Sequence, residues 1–188
     1  MRRSGEGIRD AAEALSLLKE GNRRFVRNEL SGKGDYPKLR TILQNGQKPY
    51  AVVFCCSDSR VSPEIFFDQK LGDLFVIRNA GHVVDDVTLG SIEYACEHLG
   101  SPLVVVGGHT SCGAVTAALS HEELPGKIGV LAKKIAPSVK GETSVDRAAA
   151  IHAKKTALRI AEDEILQHLH TAVLAAIYDI ETGEVTWL

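Results

Sequence analysis

The chain has 188 residues, enough for one domain with a sizeable core, and its 44% hydrophobic and 24% charged content is that of an ordinary globular protein. A formal net charge of −2 argues against nucleic acid or an anionic membrane surface as partner, since both call for a basic face. No apolar run approaches the ~20 residues of a membrane helix, and the opening stretch MRRSGEGIRDAAEALSLLKE lacks the continuous apolar segment of a signal peptide, so the expectation is a cytoplasmic location.

Residues 8–28 place Ile8, Ala11, Ala12, Leu15, Leu18, Phe25 and Val26 close to one helical face. This predicts an amphipathic N-terminal helix whose stripe must cover something, a partner subunit being one candidate. A Gly/Lys/Asp/Pro-rich link, 31–37, leads to a short helical piece over 38–45. Tyr50–Cys56 reads as a strand, and Ser62-Pro63-Glu64 as an N-cap followed by proline at the first helical position. Leu74–Arg78 is a second strand. Asp85 or Asp86 caps a helix through Leu99, which Gly100 stops. Leu103–Gly107 is a third strand and Cys112–Leu119 a helix, with further helices near 127–135 and 146–169. Ala172–Ile180 and Glu184–Leu188 are strands joined by the turn Glu181-Thr182-Gly183. Strand–helix alternation with continuous apolar strands predicts one α/β domain: a mostly parallel sheet of four to five strands flanked by helices, its last strand an antiparallel edge, with an N-terminal helical arm.

Two strands end in chemically loaded turns, and ligands of open α/β sheets bind outside the carboxyl ends of the strands. One turn is Cys55-Cys56-Ser57-Asp58-Ser59-Arg60; the other holds His109-Thr110-Ser111-Cys112-Gly113. His and Cys separated by two residues, with a distant Cys, form a ligand set that zinc favours, and three protein ligands leave open the fourth position used in catalytic sites. Asp58 could then orient a water on the metal, and Arg60 could hold that carboxylate ionised. Simpler readings exist for each part. Cys96 reads as a packing residue, and Asp58 with Arg60 could be a plain ion pair at a helix entrance. A thiol enzyme with Cys112 as nucleophile and His109 as base is conceivable but leaves Cys56 without a role. The glycines of VVVGGHTSCGA match neither common nucleotide-binding loop.

The pairing of CxDxR with HxxC about fifty residues later, each after an apolar strand, resembles the β-class carbonic anhydrases. The stretches GQKPYAVVFCCSDSRVSPEIFFDQKLGDLFVIRNAGHVV, LGSIEYACEHLG, LVVVGGHTSCGAV and YDIETGEV extend the likeness over roughly residues 20–120 and 172–186. The resemblance implies that Cys56, His109 and Cys112 bind one Zn2+ per chain and that Asp58 and Arg60 form a catalytic dyad. It implies that Gln47, Phe75, Tyr94 and the Gly113 N–H contact substrate, and that the site lies at a dimer interface, so Gln47, Phe75 and Tyr94 serve a neighbouring subunit's zinc. The implied reaction is reversible hydration of CO2 to bicarbonate and a proton by zinc-bound hydroxide, in a homodimer or homotetramer with residues 1–35 packed on a partner. Alternatives on the same frame are a hydrolase of CS2 or COS and a non-catalytic zinc-stabilised binding protein. Ala80 stands where some members have valine. Val53 stands where members with a bicarbonate effector site have tryptophan, which implies no such site here; closure of Asp58 onto the metal at low pH stays open. Arg78 reads as structural, bonding carbonyls or a carboxylate, and His82 has no assignment. Because successive strand side chains point to opposite faces, Cys55 and Cys56 cannot easily serve one metal; the register to Asp58 and Arg60 selects Cys56.

Overall fold

The computed structural model describes residues 8, 10–32, 34–120 and 122–188; the first seven residues of the expected arm and Lys33 of the link lie outside them. Its elements in chain order are α1 (Ala11–Val26), α2 (Tyr36–Leu43), β1 (Ala51–Cys56), α3 (Pro63–Phe66), β2 (Leu74–Asn79), α4 (Asp86–Glu97), β3 (Leu103–His109), α5 (Gly113–Leu119), α6 (Ile128–Val139), α7 (Val145–Ala161), α8 (Glu164–His168), β4 (Ala172–Tyr178) and β5 (Val185–Trp187). The strands form one sheet in the order β2-β1-β3-β4-β5. β1 pairs in parallel with both β2 and β3, and β3 with β4, whereas β5 closes the edge antiparallel to β4. The α/β reading, with its antiparallel last strand, is the architecture observed.

β1 and β3 read as unbroken apolar runs because both of their faces are covered. On one face Val53, Cys55 and Val105 pack with Ala14 and Leu18 of α1 and with Phe66 and Phe67. On the other, Val52, Phe54, Val104 and Val106 pack with Ile92 and Ala95 of α4, Ala153 and Ile160 of α7, and Leu166 of α8. A third cluster gathers Cys56, Cys112, Val115, Ile135 and Ala149. Full burial of each Val or Phe side chain contributes about 1.5–3 kcal/mol. Gly108 lets α7 and β4 approach β3: a Cβ there would sit 2.6 Å from Ile177 Cδ1 and 3.1 Å from the Ala149 carbonyl oxygen.

The apolar stripe of α1 is taken up within its own chain. Ala14 and Leu18 are fully buried, and the buried Asn22 amide donates to the Phe66 and Gly183 carbonyls at 3.0 and 2.8 Å. Its oxygen accepts from Val185 N at 2.9 Å, so the helix is stitched to the β4–β5 turn.

Several boundaries differ by one to three residues from the sequence-based expectation, α2 for instance spanning Tyr36–Leu43 and not 38–45, and three differences bear on the packing or the site. The long helix expected over 146–169 is two helices, because Asp163 turns its carboxylate onto the N–H groups of Ile165 and Leu166 and caps a new one. α6 runs through Pro137 to Val139, beyond the expected end at 135; a proline this close to a helix C-terminus removes only one late hydrogen bond. β3 continues to His109, whose backbone pairs with Tyr178, so this side chain belongs to a strand and not to a loop.

Candidate metal centre

The strand order reverses direction between β1 and β3, and the crevice at their carboxyl ends is where such a sheet builds a site. β1 delivers Cys56, β3 delivers His109, and Cys112 stands at the N-cap of α5. The ligand atoms of these three buried residues all lie within 4.8 Å of one another.

The loop between His109 and Cys112 is held at each residue. Thr110 N donates to the Tyr178 carbonyl at 3.0 Å, and Ile180 N donates to Thr110 Oγ1 at 3.0 Å. Ser111 adopts a left-handed backbone (φ 55°), and its N–H donates to Asp146 Oδ1 of α7 at 2.7 Å. That reversal carries Cys112 back beside His109. Asp146 has no motif of its own, and only the packing of α7 reveals its part.

The tautomer of His109 is set by its own neighbour. Nδ1 lies 2.9 Å from the Thr110 carbonyl oxygen, which can only accept, so Nδ1 carries the proton and Nε2 presents its lone pair. His109 Nε2 is buried with no hydrogen-bond partner. Beside it the Cys112 thiol donates to the Cys56 sulfur, which lowers the pKa of Cys56 and raises that of Cys112. The Gly81 N–H adds a contact to Cys56 Sγ at 3.3 Å. Two sulfurs and an orphaned imidazole nitrogen form a borderline-soft set of three donors, which fits zinc.

Asp58 and Arg60 lie at the rim. The pair is bidentate, Nε to Oδ1 at 2.9 Å and Nη2 to Oδ2 at 2.7 Å, and Arg60 N also donates to Oδ1 at 3.0 Å. These bonds from Arg60 hold the Asp58 carboxyl well below the usual carboxylate range. Arg78 bonds the Cys56 and Asp58 carbonyls at 3.0 and 2.7 Å, fixing the turn that carries both, as expected of a structural arginine.

Cys55 is buried on the opposite face of β1, where burial pushes its thiol up to about 12. Cys96 is buried in the core beside α7 and raised by burial to about 11. Neither joins the cluster. Gly113 opens α5 next to Cys112, and nothing stands within 4 Å of where its Cβ would be.

Gln47, Phe75 and Tyr94 are not brought to the cluster within one chain. Gln47 precedes β1 and lines a cavity with Leu71 and Leu74, at the amino end of the sheet. Phe75 pairs with Val52, and its ring lies 6.3 Å from that of Tyr94, which is 47% exposed. His82 is completely buried, its ring 4.5 Å from that of His152 and 6.2 Å from that of Phe54. His152 was not singled out by any motif, yet its Nε2 donates to the Gly81 carbonyl at 2.9 Å, and Gly81 N–H is the donor to Cys56. A lone histidine inside an amphipathic helix gives no sequence signal of that role.

Fold and site together define an α/β protein with a buried Cys-His-Cys cluster at the switch point of its sheet. The carbonic anhydrase family profile matches residues 51–185. Carbonic anhydrase 2 of Mycobacterium tuberculosis is 52% identical over 134 residues, 67% of this chain and 63% of that protein. A carbonic anhydrase of Mycolicibacterium smegmatis is 42% identical over 186 residues, 92% of this chain and 90% of that one. Among solved structures, the β-carbonic anhydrase CafA of Aspergillus fumigatus superposes with a TM-score of 0.74 at 27% identity, covering 94% of this chain and 89% of that one. The chain belongs to the carbonic anhydrase family, and its fold is that of the β class. The match spans just under two thirds of the M. tuberculosis relative's length.

Proposed function

We propose that this chain is a zinc-dependent carbonic anhydrase that interconverts CO2 and bicarbonate, with Cys56, His109 and Cys112 holding one zinc. The observation that carries this reading is the buried three-donor cluster with an Asp–Arg clamp two residues from one donor. Bound there, zinc supplies the Lewis acidity that brings the pKa of a coordinated water to about 7.

The chain's own residues do the orienting. Asp58, kept anionic by Arg60, accepts a hydrogen bond from the attacking oxygen and turns its lone pair toward the substrate carbon. Because Arg60 occupies both carboxylate oxygens, Asp58 acts as an acceptor and not as an acid. The Gly113 N–H, beside Cys112, is the donor assigned to a bicarbonate oxygen.

CO2 offers little for a protein to grip, so a narrow apolar wall with one or two donors suits it. Gln47, Phe75 and Tyr94 supply that wall and an amide to a second copy's site, a reading supported by their surroundings within one chain, which do not include the cluster. The working protein is therefore a homodimer or a larger homo-oligomer, a single domain per chain, with the outer face of the arm against the partner. None of its described helices is long and apolar enough to cross a membrane.

Stopped-flow CO2 hydration combined with metal analysis tests this. Activity should track zinc up to about one metal per chain, as a single three-ligand site requires. Metal-free protein that still hydrates CO2 would overturn the mechanism, and a fully active monomer would overturn the shared site.

A further inference from the structure

Behind the metal centre, α6, α7 and the connection before α4 enclose a second cavity of about 230 Å3. Its floor mixes apolar and polar groups: Pro137 and the buried Val83 and Val84 line it with Ser138 and the buried His152 and Thr156. Its rim is cationic, formed by Lys134 of α6 and by Lys155 and Arg159 of α7. No carboxylate lines it.

The three cations are gathered against their own repulsion. Lys155 and Arg159 are four residues apart on one helix face, an arrangement that weakens a helix when both charges share a sign. Among the described residues none of the three stands within 4.0 Å of a carboxylate. Lys134 adds to the lowering of the Asp85 pKa, but that carboxylate is committed to the Thr88 N–H at the start of α4. Lys155, an exposed residue at the rim, spends one donor on the Ser138 carbonyl at 2.7 Å and keeps two N–H bonds to give. In a chain of net charge −2, such a local excess of positive charge is not explained by solubility or by general basicity.

We propose that this cavity is a binding site for a phosphate group, either inorganic phosphate or a phosphomonoester. Two ammonium groups and a guanidinium fork match a tetrahedral dianion in charge, and the Thr156 hydroxyl adds a neutral donor, whereas Ser138 spends its one hydroxyl proton within the chain, between the Ile135 carbonyl and His152 Nδ1. A single monoanion would leave most of the charge uncompensated. The site is distinct from the metal centre, on the far side of the Gly81 segment, and does not depend on the catalytic reading.

Calorimetric titration of the zinc-loaded protein with inorganic phosphate, at constant ionic strength in a buffer free of oxyanions, tests the proposal. One saturable phosphate per chain is expected, displaced by sulfate and not by chloride. The double variant Lys155→Gln/Arg159→Gln should weaken it by about tenfold or more, the loss of two charge-assisted contacts, with zinc content unchanged. Arg159→Lys, which keeps the charge, should retain most of the affinity and guards against a folding defect. A parallel titration with glycerol 3-phosphate identifies the source: tighter binding than inorganic phosphate points to a phosphorylated metabolite, equal or weaker binding to free phosphate, and both support the site. Absence of saturable binding, or binding that survives unchanged in the double variant as binding at the metal would, overturns it.

Discussion

The two ends of this sheet are made from the same apolar strands and finish in opposite ways. At the amino end the buried polar groups find partners inside the chain: Ser101 Oγ donates to the Pro49 carbonyl at 2.8 Å, Tyr50 N to the Asp73 carbonyl at 3.0 Å, and the Tyr50 hydroxyl to Gln69. At the carboxyl end, His82 and His109 hold the buried side-chain nitrogens that have no partner among the described residues. An unpaired buried polar group costs about 1–3 kcal/mol, so leaving such groups concentrated at one end is informative. The two orphans also differ from each other. His109 Nε2 shares its surroundings with two sulfurs, and the proposed metal would complete it. The His82 ring meets Phe54 and His152 and stays neutral, with a pKa well below that of a free imidazole because burial disfavours its charge.

The largest effect expected separates the two faces of β1. Cys56→Ser should empty the site, measured as a fall from about one zinc per chain to nearly none, and lower CO2 hydration by at least about a hundredfold. Cys55→Ser should leave zinc in place, because its side chain faces the α1 side of the sheet. Equal zinc loss in both variants would break the distinction between the faces.

Next in size is the rim. Asp58→Asn should keep its zinc while kcat/KM falls by about a hundredfold, the scale of losing one preorganised electrostatic contact. A variant that loses metal in proportion to activity would instead make Asp58 part of the ligand shell.

His152→Ala removes the donor to the Gly81 carbonyl and the contact with Ser138 Oγ, and leaves a cavity. Urea unfolding should show a loss of about 2–4 kcal/mol. A change under about 1 kcal/mol would mean that the Gly81 segment holds itself in place.

The smallest effect concerns His82. Its folded pKa lies below the unfolded value of about 6.5, so above that pH both states are neutral and nothing is lost. Below it the unfolded chain takes up a proton that the folded chain refuses, and stability falls with pH. His82→Asn, which tolerates the left-handed backbone at φ 40°, should flatten the slope between pH 7.5 and 5.5 by up to about one proton, or 1.4 kcal/mol per pH unit. An unchanged slope would assign the acid sensitivity to other groups, His152 first among them, whose pKa burial also lowers.

Much of this was legible along the chain because the signals are local. Period-two alternation puts Cys55 and Cys56 on opposite faces, and the clusters observed around each agree with it. An aspartate cap at 85 or 86 follows from side-chain chemistry, the structure choosing Asp85, and α4 ends at Glu97, shortly before Gly100 with its positive φ of 73°. The break at Asp163 was missed because a helix-compatible pattern continues on both sides of it. Asp146, His152 and the cationic rim were not readable, since each acquires meaning from a partner tens of residues away.

The sequence by itself determined the strand–helix alternation, the donor types at two strand ends and the placement of Cys55 and Cys56 on opposite faces, while the choice of Cys56 came with the family resemblance. Backbone periodicity and side-chain chemistry act over a few residues, so they survive without coordinates. Only the tertiary structure decided that β1 and β3 are neighbours, that the Thr110 carbonyl sets the tautomer of His109, and that Gln47, Phe75 and Tyr94 stand away from their own chain's cluster. Those facts depend on how helices pack across the sheet, which no short stretch of sequence specifies.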